Sequence, residues 1–261
     1  MMIETTAASG MRIWHAQPDT DQRRPAVLLL HERYGPVEHS FNVLNRFAAY
    51  GFVAAMPDVF HRFEGDRGPL ERAETRFDPT DDEVVSDIDA TLAHLRSLPY
   101  VDASRVGVAG FCLSGRTPLV YAAARPEDTA AISITHGGIY PRDYHGDFDG
   151  QVPVGGLIPQ VQCPVLGLFG EADRSVPMEN VSRFRRDLER HAKDYRIRVY
   201  AGTPHAWMNT TEQGRYREAA SEDAWAMLAE FYRGVFDGDW QTGTRTWRFE
   251  PESAVAYNFA T

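Results

Sequence analysis

Residues 105–116 read Arg-Val-Gly-Val-Ala-Gly-Phe-Cys-Leu-Ser-Gly-Arg. An apolar, strand-like run ends in Gly110 and a helical pattern opens close behind it, so strand, tight turn and helix follow one another without a linker. The turn carries the G-x-nucleophile-x-small pattern of a nucleophile elbow, with Cys112 where serine is commoner and Ser114 where a second glycine is usual. The chemistry explains the spacing. A side chain thrust out on a strained turn needs small residues two before and two after it, because strand and helix approach closely there. At a helix start the dipole favours a thiolate, and the amide of Leu113 is free for an oxyanion.

Two other readings of the same residues are weaker. GFCLSGRT falls one residue short of a phosphate-binding P-loop, but Arg116 stands where that loop needs lysine, and the stretch does not follow a first strand. Cys112 could also be an inert core thiol, as most free cysteines are. That description fits Cys163 better, since it precedes Pro164 at a strand entrance with no elbow around it. The two cysteines could form at most one disulfide, and both are expected to be free.

Outward from the elbow, short apolar strand candidates alternate with helical patterns. The strands are Ala26–Leu30, Phe52–Met56, Val106–Gly110, Ala130–Thr135, Val165–Phe169 and Arg196–Tyr200; the helices lie near Phe41–Tyr50, Asp82–Leu98, Leu113–Ala124, Met178–His191 and Glu218–Phe236. Continuous runs such as AVLLL suit strands covered on both faces. The sequence therefore predicts an α/β fold with a mostly parallel central sheet and helices on both faces. Two long segments, Asp58–Asp81 and His136–Gln160, follow strands and should emerge at the carboxyl edge, where open α/β sheets bind ligands. Residues 1–239 read as one domain. The tail from Trp240 carries Trp247, Phe249, Tyr257 and Phe259, and is expected to pack on the body or on a second subunit, which leaves a homodimer open.

Composition excludes several classes. The 261 residues are 43% apolar and 25% charged, so a large core forms without staples. With 27 basic against 37 acidic residues and no uninterrupted basic cluster, nucleic acid and anionic membranes are poor partners. No apolar run approaches the roughly 18 residues of a membrane span, and the start lacks the basic head and apolar core of a signal segment. The expected location is cytoplasmic, and the expected partner a small molecule.

An elbow needs a base and an orienting acid. In α/β hydrolases they follow in the order nucleophile, acid, base, each at a strand's carboxyl end. Here the strand Val165–Phe169 runs into Gly-Glu-Ala-Asp, placing Asp173 in a loop with Glu171 as its rival, and the strand Arg196–Tyr200 runs into Gly-Thr-Pro-His, placing His205. The first strand ends in His31-Glu32-Arg33-Tyr34-Gly35, where this fold supplies its second oxyanion amide. His31-Glu32 is no zinc motif, because position 35 is glycine where H-E-x-x-H needs histidine, and no metal is predicted.

With HERYG, GFCLSG, GEADRSVP and the histidine of TPHAW in hand, the chain resembles the dienelactone hydrolase family, from about Met11 to Phe236. The resemblance implies hydrolysis of lactones or esters without a cofactor. It implies Cys112 as nucleophile, His205 as base, Asp173 as its orienter, Glu32 as the group that helps deprotonate the thiol, and an oxyanion hole from the amides of Leu113 and Arg33. A promiscuous carboxylesterase or thioesterase on the same triad is one alternative; a thiol redox sensor without turnover is another. Well-known members hold a substrate carboxylate with an arginine four residues after the histidine, a position that is Asn209 here. Unless an arginine from Arg62–Arg76 or Arg142 compensates, the pocket should prefer neutral substrates. Tyr34, Phe60, Phe63, Arg76, Tyr140, Trp207 and Asn209 are the candidate pocket residues.

Overall fold

The computed structural model describes residues 2–7, 9–146 and 148–249. Among the described residues nine strands form one sheet: β1 (Met2–Thr6), β2 (Arg12–Ala16), β3 (Arg24–Leu30), β4 (Val53–Pro57), β5 (Val101–Phe111), β6 (Ala131–Thr135), β7 (Val165–Gly170), β8 (Tyr195–Tyr200) and β9 (Arg245–Phe249). Their order is β1-β2-β4-β3-β5-β6-β7-β8-β9. The pairs β1/β2 and β2/β4 are antiparallel, and every pair from β4 to β9 is parallel. The long helices are α1 (Glu38–Ala49), α3 (Asp81–Arg96), α4 (Thr117–Ala124), α7 (Met178–Arg190) and α8 (Glu218–Phe236). The two long post-strand segments hold only short helices, α2 (Gly68–Glu71) in the first and α5 (Pro141–His145) and α6 (Val154–Leu157) in the second.

The predicted α/β class and the six central strands are present. β1, β2 and β9 were not predicted, and β5 starts earlier than expected, at Val101, with a register shift opposite Pro25/Ala26. β9 brings residues 245–249 of the tail into the sheet beside β8. Tyr257 and Phe259, the other expected packing residues, lie outside the described residues.

Period-two alternation divides the core between the sheet's faces. Leu28 and Leu30 of β3 join Ile88 and Leu92 of α3, Leu119 of α4 and Phe184 of α7 on one side. Val27 and Leu29 join Phe47 of α1 and Trp225, Leu228 and Tyr232 of α8 on the other. Gly107 makes the second contact close, since a Cβ there would stand 2.3 Å from the Tyr232 ring. The Tyr232 hydroxyl donates to the Val108 carbonyl at 2.9 Å and lies 2.8 Å from Ser133 Oγ, so a buried polar group is satisfied inside the sheet. Helix α3 starts on a reciprocal cap: Glu83 N donates to Thr80 Oγ1 at 3.3 Å and Thr80 N to Glu83 Oε2 at 2.8 Å. Because β3, β5, β6, β7 and β8 run parallel, their carboxyl ends share one edge of the sheet.

Candidate active site

Cys112 sits on that edge with φ 50°, a left-handed backbone that a side-chain-bearing residue adopts only under constraint. The constraint is visible around it. A Cβ on Gly110 would lie 2.3 Å from the Ser114 carbonyl oxygen, and one on Gly115 would lie 2.6 Å from the Gly137 carbonyl carbon. Ser114 does more than replace a glycine: its hydroxyl donates to the Leu30 carbonyl at 2.8 Å, tying the end of β3 to the elbow. A 3-10 turn, Cys112–Arg116, precedes α4, so the helix starts later than the expected Leu113. Arg116 is buried in an ion pair with Asp81. Its guanidinium is committed there, which removes the phosphate-loop reading.

The three residues of the expected triad converge. Cys112 Sγ lies 3.2 Å from His205 Nε2, and His205 Nδ1 lies 2.7 Å from Asp173 Oδ2. Asp173 is held in turn by the amides of Ser175 at 2.8 Å and Val176 at 3.1 Å, both on its other oxygen. Burial works against a charged His205, but the hydrogen bonds to Asp173 and Cys112 outweigh it and push its pKa up to about 10. Glu171, the rival acid, accepts from Gly202 N at 2.9 Å and lies outside this chain of contacts.

Glu32 is buried, and the structure gives it a partner that sequence reasoning missed. Its Oε1 lies 3.0 Å from Nε2 of His136, a fully buried residue with φ 40° at the end of β6, and 3.8 Å from His39 Nε2. Burial alone would raise the Glu32 pKa, but the His136 hydrogen bond and the neighbouring histidines override it and hold the carboxyl at about 2. Burial depresses the His136 pKa against the pull of Glu32. The imidazole is thus a neutral donor to a carboxylate, with its ring 5.3 Å from the His205 ring, edge to face. Among the described residues Glu32 makes no hydrogen bond to Cys112; its carboxylate is engaged by His136. The clue to His136 was slight, a single histidine at a strand's carboxyl end before two glycines.

Glu32, Arg33, Cys112, Leu113 and His205 border a cleft of about 490 Å³. The amides of Leu113 and Arg33 donate to no loop carbonyl among the described residues. Of the candidate pocket residues, Tyr34, Arg76 and Tyr140 line this cleft. Phe60, Phe63, Trp207 and Asn209 do not. Phe60 is buried behind the cleft against His31 and Phe77, and Phe63 packs on Phe77. Trp207 is fully buried against His136 at 5.1 Å. Large rings on these loops gain more from burial than from facing water. Asn209 is also buried, and its Oδ1 accepts from the Thr211 amide at 2.9 Å and hydroxyl at 2.6 Å, closing its own loop. Three more arginines, Arg33, Arg142 and Arg215, stand at the cleft beside Arg76. Arg76 pairs with Asp78, and Arg142 lies 3.8 Å from Asp78 and 3.6 Å from Asp143. Arg215 is exposed and forms no ion pair among the described residues.

Residues 11–236 match the dienelactone hydrolase family. The chain belongs to that family and is a hydrolase. It is 28% identical over 227 residues to a Methylorubrum extorquens protein named "Putative carboxymethylenebutenolidase", covering 84% of this chain and 75% of the other. An Escherichia coli K12 protein of the same name is 28% identical over 236 residues, covering 86% and 82%. Among solved structures, a Klebsiella pneumoniae protein named "Putative Dienelactone Hydrolase" superposes with a TM-score of 0.77 at 25% identity, covering 89% of this chain and 98% of that one. A promiscuous phosphotriesterase from metagenomic libraries, likened in its description to dienelactone hydrolases, superposes with a TM-score of 0.71 at 20% identity and shares the fold. Among the described residues no cluster of three or more His, Cys, Asp or Glu is placed to hold a metal, and no helix is long and apolar enough to cross a membrane.

Proposed function

We propose that this protein opens lactones or carboxylic esters through a thioester on Cys112. The observation that carries the reading is the unbroken contact from Cys112 Sγ through His205 to Asp173, at 3.2 and 2.7 Å, at the wall of an accessible cleft. The thiol proton passes to His205 Nε2, and the thiolate attacks the carbonyl carbon. As the S–C bond forms, the carbonyl electron pair moves onto oxygen, where the amides of Leu113 and Arg33 receive it. Collapse expels the alkoxide, which takes the proton from His205. The histidine, kept in its Nδ1–H tautomer by Asp173, then deprotonates a water that attacks the thioester and returns the sulfur to its thiolate. A redox sensor would need the thiol but neither His205 nor Asp173 at these distances.

The cleft's arginines bear on the substrate. Arg76 and Arg142, both among the positions named as able to compensate for Asn209, line it together with Arg33 and Arg215. Four guanidinium groups around one cleft support a preference for substrates with an anionic group beside the reacting carbonyl over the expected preference for neutral ones. The test mixes enzyme with a panel of lactones and esters and weighs the intact protein. A mass increase equal to the acyl group, absent from Cys112→Ala, supports the thioester route; turnover with no adduct and an active Cys112→Ala overturns it. For the substrate class, a lactone carboxylate should exceed its methyl ester in kcat/KM by about tenfold or more, and Arg215→Gln should erase much of that advantage. A wild-type preference for the methyl ester would sink the anionic reading alone.

A further inference from the structure

The elbow is met from the side by the loop that leaves β6. Gly137 and Gly138 run directly against it: a Cβ on Gly137 would lie 1.9 Å from the Cys112 carbonyl oxygen, and one on Gly138, where φ is 73°, would lie 2.3 Å from the Gly115 carbonyl. No side chain fits between the two backbones, so the segment after the glycines has a fixed place relative to the sulfur. Ile139 is held there by Asn180, whose Nδ2 donates to its carbonyl at 2.7 Å. Tyr140 is held by Asp143, its amide donating to Asp143 Oδ2 at 2.9 Å and its carbonyl accepting from the Asp143 amide at 3.0 Å. The Arg142 guanidinium lies over its ring at 5.4 Å. So fixed, the Tyr140 hydroxyl reaches 3.7 Å from Cys112 Sγ, inside hydrogen-bonding range for sulfur, and lines the cleft.

We propose that Tyr140 is a catalytic residue, whose hydroxyl donates a hydrogen bond to the Cys112 thiolate and supports the sulfur each time it carries charge. The inference rests on Cys112 being the nucleophile. Sulfur is charged twice in the cycle, before attack and when the C–S bond of the thioester breaks and the electron pair returns to it. At the second moment His205, carrying the proton taken from water, faces the sulfur from one side, and the Tyr140 hydroxyl meets it as a second donor. Tyr140 keeps its own proton throughout and only points it. The surroundings favour that state: burial, the Cys112 sulfur, and the carboxyls of Asp173 and Asp143 all hold the phenol well above its ordinary range. A hydroxyl that does not ionise at working pH remains a donor. The other groups facing the sulfur are His205 from the loop after β8 and, from the loop after β3, Tyr34 and Glu32, the latter held by His136.

The experiment uses the full chain and Tyr140→Phe, which retains the ring and its packing. Iodoacetamide alkylation of Cys112 is followed across pH, and single-turnover mixing separates acylation from deacylation. In the variant, the pH of half-maximal alkylation should rise by about one unit and deacylation should slow about tenfold, so that acyl-enzyme accumulates, with KM nearly unchanged. Incorporation of 3,5-difluorotyrosine, a stronger donor of unchanged shape, should move the alkylation profile the opposite way and covers the case in which Tyr140→Phe folds poorly. If both variants alkylate like the wild type while KM rises, Tyr140 is a wall of the cleft and the assignment is wrong. If the wild type forms no acyl-enzyme and Cys112→Ala is active, the nucleophile reading itself has failed, and Tyr140 falls with it.

Discussion

Cys112 and Cys163 are equally hidden, at 7% and 8% exposure, and differ in everything else. Cys163 lies among the core side chains beneath β7, and burial pushes its thiol up to about 12. Cys112 meets a histidine, a phenol and a cleft. Burial alone thus says nothing about a thiol's role, because the same low exposure leaves one sulfur among core side chains and the other beside a histidine and a cleft. What separates them is whether the elements that bury the thiol also bring polar partners to it.

The sharpest way to break that contrast is to exchange the fates of the two residues. Cys112→Ala should lower kcat on a lactone or activated ester by about 10⁴-fold or more with little change in thermal stability. Cys163→Ala should keep its kcat and lose about 1 kcal/mol of stability from a small core void, read by urea titration. A Cys163→Ala enzyme that folds but does not turn over would place the chemistry at the wrong sulfur.

A second comparison sets Asp173 against Glu171, two acids in one loop. Asp173→Asn and His205→Ala should each lower kcat by about 10³- to 10⁴-fold, since the triad acts as a unit. Glu171→Gln, losing only a bond to Gly202, should stay within about threefold. Equal losses in the two acid variants would mean the loop, and not one carboxylate, is what matters.

The last comparison concerns Glu32 and stability. Its carboxyl is held at about 2 in the folded protein against an ordinary 4.5, so it stabilises the fold above pH 4.5 and that contribution is lost as pH falls toward 2. The full swing is on the order of 3 kcal/mol. Glu32→Gln should flatten the acid limb of the stability profile in that window, measured by urea midpoints across pH. An unchanged acid limb would show that other carboxylates govern it.

The elbow and the triad order were legible because each is a local pattern: an apolar strand, a turn and a chemically distinctive residue within a dozen positions. The pocket was not. Loop residues 58–81 have no periodicity to reveal which ring faces inward, so Phe60 and Phe63 read no differently from Tyr34 or Tyr140. His136 was missed because its meaning depends on Glu32, which is brought to it only by the pairing of β3, β5 and β6. Strand β2, RIWHA, lacked an alternating or long apolar signature; it exists because β4 offers it an antiparallel edge. Asn209 was misplaced for another reason: its position was inferred by likeness, while its side chain is consumed in folding its own loop.

Where Gly115, Gly137 and Gly138 meet, the turn that carries Cys112 is aligned by main chain against main chain, with no side chain interposed. The walls of the cleft, by contrast, are side chains on loops: Tyr34, Arg76, Arg142, Arg215. Heritable change therefore reaches the two parts unequally. A single base change at one of those glycines inserts a carbon where no space exists and displaces Cys112, whereas replacements around the rim leave the sulfur where it is. Such an enzyme is free to drift in what it accepts while its chemistry stays fixed, and a library meant to redirect it should randomise the rim and leave the three glycines alone.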